Sequence, residues 1–132
     1  MYEPVREFYE ARGFGGRKGL GQRPAILVID LAKAWIDESS PLGSSNLEPV
    51  VKNTARILEA ARAKSVPIFF TIMAFDAAGV ETVGPVGQKV YNRVKARSFT
   101  RGTDMVELDP RLKRRPEEIL IEKPRGSAFW ES

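Results

Sequence analysis

Two apolar runs with a helical period between them decide most of what this chain can become. Ala25-Ile-Leu-Val-Ile29 is continuous and aliphatic, bounded by Pro24 and Asp30, and Pro67-Ile-Phe-Phe-Thr-Ile-Met73 repeats the pattern. Unbroken runs of this length, rich in β-branched residues, suit strands covered on both faces, as in a parallel sheet. Between them Val50, Val51, Thr54, Ile57, Leu58 and Ala61 recur at helical spacing, which predicts a helix over 47–64. Asn46 is the expected N-cap, with Glu48 in the first turn and Pro49 where a helix tolerates proline. Strand, helix and strand in that order make a right-handed βαβ unit.

A third strand is expected at Glu118-Ile-Leu-Ile-Glu122, so the fold class is α/β with parallel strands over 25–30, 67–73 and 118–122. Residues 3–11 suit a short amphipathic helix ended by Gly13. The stretch from Gly13 to Gly21 is rich in glycine. A phosphate loop follows a strand and opens a helix, whereas this stretch precedes the strand, so it reads as an extended lead-in arm. Ser39, Ser40, Pro41, Gly43, Ser44 and Ser45 carry turn chemistry, and 74–116 shows no strong period, which predicts loops with one short helix.

Composition removes several kinds of chemistry. The 132 residues suit one domain, and no apolar run approaches the ~20 residues of a membrane span. The charged start, MYEPVREFYEARG, has no secretory h-region, so the expected location is cytoplasmic and no membrane partner is expected. Net charge is +4 from 21 basic and 17 acidic residues. The dense basic run, Arg111, Lys113, Arg114 and Arg115, is broken by Leu112 and ended by Pro116. It reads as a solvated loop, and no nucleic-acid partner is expected. There is no cysteine and no histidine. These 132 residues therefore hold no thiol nucleophile, disulfide, His triad, His-ligated zinc or two-His iron site, and the expected cofactor and metal are none.

In open α/β sheets ligands bind outside the carboxyl ends of the strands. Asp30 follows the first strand and Lys123 the third. Together they could form a charge pair that orients a nucleophile; on the residues alone a strand-end Asp or Lys is more often a cap or a surface group. Trp35 either lines a pocket or packs in the core. Arg125 and Ser127 either support Lys123 or form a plain turn, Asp37 is a loop residue, and Phe69, Phe70, Phe129 and Trp130 read as packing groups.

Arg23-Pro-Ala-Ile-Leu-Val-Ile-Asp30, followed by Leu31, Trp35 and Asp37, resembles the opening signature of isochorismatase-like cysteine hydrolases. Lys123-Pro-Arg-Gly-Ser-Ala-Phe129 resembles that superfamily's lysine segment. Gly13-Phe-Gly-Gly-Arg17, Ala34-Trp35 and Ser40-Pro-Leu-Gly43 are similar to its N-carbamoylsarcosine amidase branch, and the resemblance runs from about residue 9 to residue 130. It implies a three-layer α/β/α fold with strand order 3-2-1-4-5-6, of which this chain holds the first three strands. It also implies an Asp, Lys, Cys triad in which Asp30 is the general base and Lys123 favours the thiolate. Trp35 would contact substrate, a small linear amide or carbamoyl acid.

The chain departs from that pattern after Trp130-Glu-Ser132, where relatives continue to the cysteine and its oxyanion hole. The expectation is an N-terminal portion of one hydrolase domain that acts with a complementary C-terminal half or as a homo-oligomer. The first strand would then be an exposed edge. The rival expectation is a non-catalytic remnant that binds a partner through the same strand ends.

Overall fold

Three strands, β1 (Ile26–Ile29), β2 (Ile68–Met73) and β3 (Ile119–Lys123), form one parallel sheet in the order β1-β2-β3. The computed structural model describes residues 3–17, 19, 21–76, 85, 89 and 97–129. Ile26 stands beside Ile68 and Ile29 beside Thr71, while Phe69 pairs with Ile119 and Met73 with Lys123. This is the parallel arrangement expected from the βαβ order, and it matches the first three positions of the implied strand order. The third strand runs one residue further than expected, so Lys123 ends β3 instead of following it.

Helix α3 (Glu48–Ala63) crosses between β1 and β2. It lays Val51, Leu58 and Ala61 on the sheet face formed by Val28, Ile68 and Phe70, with Ile36 and Leu112 closing the core. Each aliphatic or aromatic side chain removed from water there contributes ~1.5–3 kcal/mol. Val50 and Ile57 stay exposed, so the buried stripe is narrower than the apolar one in the sequence. The expected cap at Asn46 is displaced. A single 3-10 turn, Ser45–Leu47, precedes the helix, and Ser44 caps it by accepting the Asn46 N–H at 3.3 Å.

The opposite sheet face is partly open. The run of β1 is of the kind covered on both sides in a whole parallel sheet, and in this chain it is open as expected of an edge strand: Leu27 is 55% and Ile29 is 60% exposed, and Ile119 across the sheet is 52% exposed. Helix α1 (Glu3–Glu10) buries none of its residues. The turn after it passes through Gly13, whose φ of 77° is the left-handed conformation glycine adopts without strain, as Phe14 N–H returns to the Tyr9 carbonyl. Phe70 is fully buried, but Phe129 is fully exposed beyond β3 and packs nothing, against expectation. Trp130 lies outside the described residues.

Between β2 and β3 the described residues hold 3-10 turns at Arg97–Phe99, Asp104–Val106 and Pro110–Leu112. Part of the expected irregular segment, 77–84, 86–88 and 90–96, lies outside the described residues. At the amino end of the sheet, the Arg62 guanidinium forks onto Glu118 at 2.7 and 2.9 Å and also donates to the Leu112 carbonyl. Glu118 further accepts the Arg115 N–H at 2.8 Å. These donors, Arg62 above all, hold the Glu118 carboxyl below its ordinary value. The basic run is thus partly structural, since Arg114 donates to the Glu118 carbonyl and Arg111 forks onto Asp109 and reaches Glu48.

Candidate active site

β1 stops at Asp30, whose φ of 58° is left-handed, a conformation Asp tolerates better than most residues. That turn lifts the backbone out of the sheet and leaves the Asp30 carboxylate at the sheet's carboxyl end. Lys123 arrives at the same end from β3, with β2 between them. Lys123 Nζ donates to Asp30 Oδ2 at 2.7 Å and to the Gly126 carbonyl at 3.3 Å.

The two charges are unequally buried. The Lys123 side chain is 4% exposed and that of Asp30 is 22% exposed. A buried ammonium is tolerable only with a counter-charge and hydrogen bonds, and Asp30 provides the first. The carboxylate keeps an open side, toward which a substrate or nucleophile can approach. A lysine ammonium beside it favours the anionic form of any thiol brought there.

Sequence reasoning passed over Thr71. It is 3% exposed, and its Oγ1 donates to Asp30 Oδ1 at 3.0 Å. A lone hydroxyl in the apolar run Ile68–Met73, opposite the residue preceding Asp30, was the available signal.

Trp35 belongs to the short helix α2 (Lys33–Ile36) and packs between the main core and a second cluster of Ala34, Phe75 and Phe99. Its ring centroid lies 5.2 Å from that of Phe99. No hydrogen bond joins it to Asp30 or Lys123, so the structure brings together the acid and the base but gives Trp35 a packing position. Its indole N–H is buried without a hydrogen-bond partner among the described residues. Gly43 fixes the loop beside it, because a Cβ there would sit 1.6 Å from the Asp37 carbonyl oxygen. Asp37 itself accepts the Ser39 N–H at 2.8 Å, as a loop residue does.

Among the described residues no group of three or more acidic side chains is placed to hold a metal ion. A groove of about 750 Å³ runs along α3, lined by Lys52, Arg56, Glu59 and Arg111 among others, and shares no residue with the Asp30–Lys123 pair. No helix among the described residues is long and apolar enough to cross a membrane.

Residues 24–132 match the Isochorismatase domain family. N-carbamoylsarcosine amidase from Arthrobacter sp. is 36% identical over 97% of this chain and 48% of its own length. Ureidoacrylate amidohydrolase RutB from Variovorax paradoxus is 27% identical over 82% of this chain and 49% of its own. The crystal structure of a cysteine hydrolase from Pseudomonas syringae pv. phaseolicola superposes with a TM-score of 0.72 and 20% identity, covering 83% of this chain and 50% of that one. This chain spans about half the length of the curated relatives it matches.

Proposed function

The chain belongs to the isochorismatase family, and from that membership we propose that it supplies the acid–base part of a C–N hydrolase. The substrate is a small linear amide or carbamoyl acid, the class named by its amidase relatives. The observation that carries the proposal is the Lys123–Asp30 contact of 2.7 Å at the carboxyl ends of β3 and β1.

None of the 132 residues is a cysteine, so the nucleophilic thiol comes from outside them. Asp30 takes the thiol proton while Lys123 stabilises the resulting negative charge. The thiolate adds to the carbonyl carbon, forming a C–S bond. As the tetrahedral intermediate collapses, the C–N bond breaks, and the nitrogen leaves as ammonia with the proton Asp30 had taken. Asp30 then removes a proton from water, which attacks the thioester carbon and releases the acid and the thiol.

The thiol comes from a second polypeptide equivalent to the other half of the relatives, or from residues of the same protein outside these 132. The bare sheet face at Leu27, Ile29 and Ile119 and the unpaired edge of β1 support such a cover. In this reading Trp35 lines the substrate pocket from its place between the two core clusters, and the complex works in the cytoplasm. Mixing the purified chain with a cysteine-bearing half of a relative and following ammonia release from N-carbamoyl amino acids tests the proposal. Release is expected from the mixture and from neither part alone. A mixture that forms but releases no ammonia from any amide or carbamoyl acid refutes it.

A further inference from the structure

Asp30 is gripped by one neighbour at two points. Its backbone N–H donates to the Thr71 carbonyl at 2.9 Å, and its Oδ1 accepts the Thr71 hydroxyl at 3.0 Å. We propose that Thr71 is a positioning residue for Asp30, fixing the plane of its carboxylate against Lys123; this rests on the amidase reading above.

A single ion pair cannot set that plane. The carboxyl torsion of Asp is broad, and a lysine stem is flexible enough to follow a moving oxygen. With Oδ2 on Lys123 alone, the carboxylate can swing about that contact. The second anchor at Oδ1 removes the swing. A carboxylate has about four acceptor positions, and the two donors leave the rest for an incoming proton at a fixed direction. Thr71 also steadies the left-handed backbone of residue 30 through its carbonyl.

Packing alone does not call for a hydroxyl here. Thr71 is 3% exposed in the run Ile68–Met73, where valine would fill the same volume with equal strand propensity. A buried hydroxyl is costly unless its hydrogen bond is made, and the one it makes goes to Asp30. Thr71 touches neither substrate nor nucleophile in this scheme and acts only through Asp30.

Thr71→Val and Thr71→Ser separate positioning from packing, because valine keeps the shape and serine keeps the hydroxyl. The first readout is the Lys123 ammonium signal in ¹⁵N NMR, recorded on the labelled chain alone and in complex with a cysteine-bearing half. Water exchange of that signal should quicken by ~tenfold in Thr71→Val and return toward wild type in Thr71→Ser, as a pinned hydrogen bond loosens. The second readout is turnover of the complex. Thr71→Val should lower kcat by ~10²-fold with KM unchanged, the scale of a misplaced catalytic group, and Thr71→Ser should restore most of it. Unchanged exchange and kcat in Thr71→Val overturn the proposal, and so does equal loss in Thr71→Ser. If the wild-type complex forms but is inactive, the amidase reading fails, and the exchange measurement alone decides whether Thr71 fixes Asp30.

Discussion

Lys123 Nζ lies 2.7 Å from Asp30 Oδ2, joining residues 93 positions apart across the intervening strand β2. The contact exists because both crossovers return the chain in the same direction, so the carboxyl ends of β1 and β3 open on one side. Only there can an acid and a base from non-adjacent strands meet over a shared neighbour. The burial of Lys123 then makes the pair structural as well as chemical.

Removing Asp30 should therefore destabilise the chain. Asp30→Ala leaves the Lys123 ammonium buried without its counter-charge, at a cost of ~3–5 kcal/mol by denaturant unfolding. Adding Lys123→Met to that variant should recover part of the loss, since the uncompensated charge is gone. Equal stability of Asp30→Ala and wild type would show that the pair is solvated in solution.

Acid should weaken the fold through Glu118. Arg62 and the Arg115 N–H hold its carboxyl below the ordinary 4.5. The stability it contributes is complete above that value and is lost as pH falls through the depressed one. Asp109, held down by Arg111, acts in the same direction below its ordinary 3.8. In Glu118→Gln the acid limb of the unfolding curve should flatten, with ~3 kcal/mol lost at neutral pH because Arg62 is left buried. A mutant with an unaltered acid limb would contradict this assignment.

The apolar runs and the 3.6-residue period made the sheet and α3 legible, because burial against one partner layer leaves a periodic mark. A run apolar on both faces reads the same with or without its second cover, so the expectation that β1 is open came from the family's further strands beyond these residues and not from the run itself. Asp30 and Lys123 were legible as strand-end residues with a family motif around them. Thr71 was not, because a threonine within a β-branched run is ordinary strand composition and its partner is 41 positions away. Phe129 was misjudged for the converse reason: aromatic character predicts burial only where a surface exists to receive it.

The open face should govern solution behaviour. Leu27, Ile29 and Ile119 form an apolar surface of the kind that drives association. The chain alone should sediment as oligomers, and Leu27→Lys with Ile119→Lys should shift it toward monomer. The same pair of changes should weaken binding of a complementary half. A wild-type chain that sediments as a monomer and unfolds in one sharp transition would show that its core is complete without a second cover.

The loop around Gly43 is predicted to be intolerant of any side chain. Gly43→Ala places a methyl 1.6 Å from the Asp37 carbonyl, so the loop must move and the Ser44 N–H bond to the Trp35 carbonyl is put at risk. Loss of ~1–3 kcal/mol is expected by thermal or denaturant unfolding, together with altered Trp fluorescence. Unchanged stability and emission would mean that the loop is not packed on Asp37 in solution.

Asp30, in this account, is the proton acceptor for a thiol supplied from outside these 132 residues. That role is tested most directly by steady-state ammonia release from a complex reconstituted with a cysteine-bearing half, comparing wild type with Asp30→Asn. Asparagine keeps the shape and can still accept from Lys123, but it cannot take the proton. Turnover should fall by ~10²-fold or more, the usual scale for loss of a general base, while the complex still assembles. Wild-type turnover from the assembled Asp30→Asn complex would contradict the claim.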